Sequence, residues 1–284
     1  EIPIWHDDQQ GTAMVTLAGL INALKIVGKK ISDVKIAFVG TGAANVACAR
    51  LIFSTGATPA LCTMVDSKGI LNKQRADIEK RKAEYVDKWK LCQSTNEEQR
   101  EGGIAEALKG ADVVIALSTP GPDTVKAEWI KGMAKDAIVF ACANPVPEIW
   151  PWDAKNAGAA VVATGRSDFP NQVNNSLGFP GIFRGTLDVR AKTITDEMCL
   201  AAANALADMA GEKGLTPDYI LPNMDEFDVF AREAAAVATK AVEQGIARKT
   251  VTYQEEYTHA SSIIKNARDM TQLLMEEGFI AESE

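Results

Sequence analysis

The stretch KIAFVGTGAANVACARLI (35–52) contains a short apolar run, two closely spaced glycines and then a helix-forming segment. Its physics is specific. Gly40 permits a tight turn, Gly42 lets the backbone approach a pyrophosphate, and the start of the following helix offers N–H groups and a positive dipole to an anion. A glycine pattern alone is a weak signal. Here a strand precedes it, a helix follows it, and Asp66 ends the next strand at about the 20-residue distance that a dinucleotide site requires. Gly40, Thr41, Gly42, Ala43, Ala44 and Asn45 are therefore the candidate cofactor turn. Asn45 stands where a third glycine usually sits. That glycine serves helix–strand packing more than ligand contact, so binding is expected to survive with a slightly shifted helix.

Four further short apolar runs alternate with helix-prone segments: ALCTMV (60–65), DVVIAL (112–117), AIVFAC (137–142) and AVVAT (160–164). Continuous apolar strands separated by helices mark a parallel sheet covered on both faces. The expected fold is α/β, a doubly wound and mainly parallel sheet of Rossmann type with flanking and C-terminal helices. Its core spans about residues 34–165, inside a domain at 1–245 followed by a helical extension at 246–284. Before the sheet, residues 13–27 form an apolar pattern too broad for a surface helix, which predicts a buried one. The turn LSTPGP after the third run places Ser118 and Thr119 at the sheet's C-terminal edge, where they either contact a nicotinamide ribose or simply form a βα turn.

Two stretches break the rhythm. Residues 72–100 are polar and helix-prone, which predicts a solvated helix at the sheet's edge without a catalytic role. The stretch SDFPNQVNNSLGFPGIFRG (167–185) is rich in Pro, Gly and Asn, and long enough to be a functional loop.

Composition narrows the function classes. A net charge of −8 with dispersed Lys and Arg leaves no basic footprint for nucleic acid. No apolar run of 18 residues stands in the sequence and the first residues lack a signal pattern, so a soluble, cytoplasmic protein with no membrane partner is expected. Five widely spaced cysteines fit a reducing compartment better than a disulfide or zinc framework. Only His6 and His259 are present, which disfavours a histidine relay. The chain opens EIPIWHDDQQGTA without an initiating methionine and is expected to continue a larger polypeptide. Asp7 and Asp8 either cap the following helix or serve a divalent metal and a neighbouring proton carrier.

The blocks WHDDQQGTA, VGTGAAN, VDSKGIL, ACANPVPE and GRSDFPNQVNNSLGFPGIFRG occur in an order and spacing that resembles the malic enzymes over about residues 1–245. The resemblance implies oxidative decarboxylation of malate to pyruvate and carbon dioxide, with NAD or NADP and Mg²⁺ or Mn²⁺. It also implies that Asp8 ligates the metal, that Asp7 serves catalysis by hydrogen-bonding the family's catalytic lysine, and that Asn144 and Asn174 contact the substrate. A homo-oligomer, dimer or tetramer, is the family's habit. The family's general-acid tyrosine, general-base lysine and two further acidic ligands lie upstream of HDDQQGTA, so this chain alone is expected to be inactive. A malolactic enzyme and a non-catalytic dinucleotide sensor are the alternatives, the sensor having no need of Asp7, Asp8, Asn144 and Asn174. For the cofactor, Asp66 favours NAD by accepting from ribose hydroxyls and repelling a 2′-phosphate. Ser67, Lys68, Lys73 and Arg75 stand against it, and the balance falls to NAD.

Overall fold

The computed structural model describes residues 2–281, so Glu1 and the last three residues of the expected extension lie outside it. The chain divides into two compact units. One comprises His6–Asn175 and Ala207–Pro222, the other Glu1–Trp5, Ser176–Leu206 and Asn223–Glu284.

The first unit is built on six strands, β1 (Ile36–Val39), β2 (Thr63–Asp66), β3 (Gly69–Ile70), β4 (Val113–Ala116), β5 (Ala137–Ala141) and β6 (Ala159–Thr164). They lie in the order β3-β2-β1-β4-β5-β6. All neighbours are parallel except β2 and β3. The five expected strands form at the expected places, because β1, β4 and β5 are buried on both faces and only uninterrupted apolar runs satisfy that environment. The 60–65 run differs at its start: Pro59–Leu61 form a 3₁₀ turn, and the strand begins at Thr63. The antiparallel β3 carries no periodic signal. It exists because Gly69, at φ +117°, closes a two-residue turn at Ser67 and Lys68.

The helices are α1 (Thr12–Val27), α2 (Ala43–Ser54), α3 (Ala76–Glu79), α4 (Val86–Ser94), α5 (Ile104–Leu108), α6 (Ala127–Ile130), α7 (Pro151–Asn156), α8 (Phe179–Asp188), α9 (Asp196–Lys213), α10 (Asp228–Glu243) and α11 (Tyr253–Glu276). A π-helical turn at Asp7–Gly11 leads into α1. Within the span Asp7–Val27 an 18-residue window has a mean hydropathy of 1.3, long and apolar enough to cross a membrane by composition. Its residues Met14, Val15, Leu17, Ala18 and Leu20 are fully buried within the unit, which makes it the expected core helix.

Residues 72–100 do not form one solvated helix. They divide into α3 and α4, and Ile78, Cys92, Thr95 and Asn96 are buried. Asn96 Nδ2 donates to the carbonyls of Leu71 and Arg100, and that satisfied buried amide fixes a turn which polarity alone does not reveal. The long 167–185 stretch is likewise a loop only in its first half, since α8 begins at Phe179.

In the second unit α8 packs on α10 through Gly181 and Gly185. A Cβ at Gly185 would stand 2.3 Å from the carbonyl oxygen of Ala234, and one at Gly181 2.4 Å from Cβ of Glu233. At Gly185 the helix meets the backbone of α10, and at Gly181 it makes room for the buried side chain of Glu233, so neither position tolerates a Cβ. α11 joins α10 through Ala260 against Ala231 and Ala234, with Tyr257 and Ile264 at the margin. Gly185→Ala is expected to lower stability by about 2–3 kcal/mol through overpacking, whereas Gly211→Ala, whose Cβ meets nothing within 4 Å, is expected to leave it within about 0.5 kcal/mol or raise it. Urea titration followed by circular dichroism distinguishes the two.

Candidate functional site

In a parallel sheet every strand delivers its following loop to the same edge, and here that edge collects the candidate residues. Gly40 follows β1, Asp66 ends β2, Ser118 follows β4 and Asn144 follows β5. Asn174 Nδ2 donates to the carbonyl of Gly165, the residue after β6, at 2.9 Å.

At the first loop Gly40 has φ +92°, and its N–H donates to Val65 O at 2.9 Å. A Cβ there would lie 2.5 Å from the carbonyl oxygen of Leu117. Gly40 thus wedges the turn between two neighbouring strands, which no L side chain permits. Gly42 differs: its φ is ordinary and an added Cβ meets nothing within 4 Å. The space above Gly42 is open, as an approaching phosphate needs, and the unsatisfied first N–H groups of α2 border it. Thr41 and Ala43 line the adjoining cleft.

Asn45 does not face that cleft. It is fully buried, and Nδ2 donates to the carbonyls of Val39 and Gly40, both at 2.9 Å. The expected shift of the helix has an alternative in this geometry, because the amide itself ties α2 to the end of β1.

Ser118 is held by Glu148, which closes the block ACANPVPE but to which the sequence assigns no role. Glu148 Oε1 accepts from the Ser118 N–H at 2.8 Å and its Oγ at 3.0 Å, while Oε2 accepts from the Ala143 N–H at 3.0 Å. The side chain is fully buried. Burial raises its pKa, the donors of Ala143 and Ser118 pull it back, and the outcome stays above the usual carboxylate range. One carboxylate therefore clamps the β4 and β5 loops together. Thr119 lines a cleft of about 550 Å³ with Gly40, Gly42, Asp66, Ser67 and Ser118.

The aspartate pair does not cap the helix: no side-chain cap bond exists there, and the N–H of His6 is taken by Gln10 Oε1 at 3.0 Å. Asp7 Oδ2 instead accepts from Asn175 Nδ2 at 2.7 Å, and Asp7 Oδ1 is buried without a partner. Burial raises the Asp7 pKa, Asp8 raises it further, and His6 opposes both. Asp8 is exposed. Asn144 is exposed in a turn anchored by Arg166, whose Nη1 donates to Pro145 O at 2.7 Å. Asn171 supports the whole loop, donating to the carbonyls of Val162 and Pro217 and accepting from the N–H of Ile220. The sequence, which singles out Asn174 by resemblance, assigns this structural asparagine no role.

Asp66 is the most crowded member. Its Oδ1 accepts from the Lys68 N–H at 2.9 Å and Arg75 Nη1 at 3.1 Å, its Oδ2 from Arg75 Nη2 at 2.9 Å and Lys88 Nζ at 2.6 Å. Burial alone would raise its pKa, but the hydrogen bonds from Arg75, Lys88 and the Lys68 N–H prevail and hold it below the usual range. Lys68 Nζ is exposed and pairs with Asp77 at 3.2 Å.

A strand, a glycine turn, a helix and an acidic residue at the end of the second strand define a dinucleotide-binding protein of the Rossmann class. The family pattern described as malic enzyme, NAD binding domain, matches residues 9–243, and the chain belongs to that family. It is 46% identical over 269 residues to the bifunctional malic/malolactic enzyme of Bacillus subtilis, covering 93% of this chain and 62% of that protein. It is 45% identical to the NAD-dependent malic enzyme of Geobacillus stearothermophilus, with coverages of 88% and 50%, and 42% identical to the NADP-dependent malic enzyme of Halomonas elongata, with coverages of 87% and 60%. The crystal structure of Entamoeba histolytica malic enzyme superposes with a TM-score of 0.96 at 54% identity, over 100% of this chain and 58% of that one. The chain thus spans less than two thirds of the length of these relatives.

Glu148→Ala removes an acceptor from three donors and is expected to cost about 3 kcal/mol in urea unfolding. It is also expected to weaken nicotinamide-cofactor binding several-fold, as followed by fluorescence titration of the reduced cofactor.

Proposed function

We propose that this chain supplies the cofactor-binding part of an enzyme that oxidatively decarboxylates malate to pyruvate and carbon dioxide, with a nicotinamide dinucleotide as hydride acceptor. The single observation that carries this reading is that the Asp7–Gly11 turn borders the glycine turn through Gln9 while Asp7 is bonded to Asn175, whose neighbour Asn174 is bonded to the residue after β6. The names of the relatives point the same way. A sensor that only bound cofactor would have no use for the Asp7–Asn175 pair.

Each residue type suits its task. The turn at Gly40 and Gly42 receives the pyrophosphate, and the α2 dipole offsets its charge. Ser118, fixed by Glu148, is positioned for the nicotinamide ribose. Asn144 and Asn174 present neutral amides, which orient a dicarboxylate without competing for a metal. Adjacent carboxylates, one exposed and one with an unpartnered oxygen, fit a hard divalent cation, so Asp8 would hold Mg²⁺ or Mn²⁺ while Asp7, steadied by Asn175, accepts from a neighbouring cationic group. Bound there, the ion would stabilise the negative charge that develops as carbon dioxide leaves. Hydride transfer belongs to the dinucleotide, and the chain contributes position and field. A cytoplasmic homo-oligomer is the setting we propose, and the five buried thiols fit a reducing compartment.

A malolactic variant is the second reading, favoured by the naming of the Bacillus subtilis relative. Net accumulation of reduced cofactor at its absorbance band separates oxidative decarboxylation from lactate release.

In the complete enzyme Asp8→Ala is expected to reduce metal-dependent malate turnover by roughly 10²-fold or more while leaving the cofactor dissociation constant within about twofold. Near-normal turnover with Mn²⁺ contradicts the metal assignment. The 284-residue chain by itself is expected to bind reduced nicotinamide cofactor yet show only background malate-dependent reduction, because no cluster of three or more metal-ligating side chains occurs among the described residues. Calorimetry for binding and absorbance for turnover check both halves.

A further inference from the structure

At the end of β2 the four hydrogen bonds to Asp66 use both lone-pair positions on each of its oxygens. An unphosphorylated ribose hydroxyl seeking an acceptor there finds none open. The sequence reading, in which Asp66 accepts from the ribose and repels phosphate, assumed an unengaged carboxylate.

The charges around it are also different from those the strand end alone suggests. Arg75 pairs with Asp66 and Asp77, Lys88 pairs with Asp66, and Lys68 pairs with Asp77. Three cations thus face two carboxylates, and the other charges lining the cleft, Arg50, Arg81, Glu84 and Asp87, balance one another, which leaves a net positive charge where an adenosine ribose would sit. The cations are not equivalent. Arg75 is 11% exposed, and its N–H groups bond to Asp66, Asp77 and the Gly69 carbonyl, so it is fixed in place as the neutraliser of Asp66. Lys88 bonds to Asp66 through one donor of a three-donor ammonium on a flexible stem, and it lines a cleft of about 660 Å³ that continues to Thr41 and Ala43 of the glycine turn.

We propose that this strand end accepts a 2′-phosphorylated adenosine ribose, and that Lys88, from α4, is the specificity-determining residue, with Arg75 as a positioning residue that cancels the charge of Asp66. The proposal rests on the dinucleotide reading and chooses NADP within it. On binding, the Lys88 ammonium takes the phosphate oxygens while Arg75 keeps Asp66 paired. The signal lay 22 residues beyond Asp66 in a segment that polarity assigned to solvent.

The test uses calorimetry on the 284-residue chain with two fragments that differ by one phosphate, 2′,5′-ADP and 5′-AMP. 2′,5′-ADP is expected to bind roughly tenfold or more tightly than 5′-AMP at low salt, the advantage shrinking as salt rises. Lys88→Gln is expected to erase most of that advantage by weakening 2′,5′-ADP, without weakening 5′-AMP because it reopens an acceptor position on Asp66, and Lys88→Arg to restore it. Lys68→Gln, at an exposed position tied to Asp77, is expected to change it less than twofold. Equal or tighter binding of 5′-AMP by the unmodified chain overturns the proposal alone, as does a Lys88→Gln effect equal for both fragments. Binding of neither fragment overturns the dinucleotide reading and the proposal with it.

Discussion

At Gly40 the backbone leaves β1 with φ +92°, its N–H bonded to β2 and the carbonyl of Leu117 after β4 occupying the place a Cβ would need. Three strands of the sheet are thereby held around one turn. That closeness gives α2 its direction, because the buried Asn45 amide ties the first turn of the helix to the carbonyls of Val39 and Gly40. The open space above Gly42 follows from the same arrangement. A phosphate-sized opening at a helix start is a consequence of backbone packing, and the side chains around it are chosen to leave it clear.

Buried charge is managed here by multiplying partners. Glu148 and Asp66 are both acidic groups withdrawn from water at the same sheet edge, yet they titrate in opposite directions. Glu148 faces two N–H groups and one hydroxyl, all neutral, so burial prevails and raises its pKa. Asp66 faces a guanidinium and an ammonium as well, and their charge outweighs burial. The consequence for function is that Glu148 shapes loops while Asp66 sets the field at the ribose end.

The π-helical turn at Asp7–Gly11 separates two uses of an acidic pair that sequence cannot tell apart. A capping aspartate would point its oxygen along the helix axis into the first turn. Asp7 instead reaches Asn175, 168 positions away, and Asp8 faces solvent. The association of HDDQQGTA with the NQVNN loop is a tertiary contact, and it is what converts two separate motifs into one candidate site.

Local physics written in the chain determined the glycine turn, the five main strands and the buried first helix, because apolar runs of strand length between helices have few other stable arrangements. The residues of the turn, Asp7, Asp8, Asn144 and Asn174 were legible as types suited to phosphate, metal and dicarboxylate. Tertiary structure alone decided the short antiparallel β3, the division of residues 72–100 into α3 and α4, the close packing of Gly181 and Gly185 against α10, and the partners of Glu148, Asn171, Asn175 and Lys88. All of these depend on partners distant in sequence. A side chain's meaning there comes from which donor or carbonyl folding places against it, and no periodicity or spacing records that.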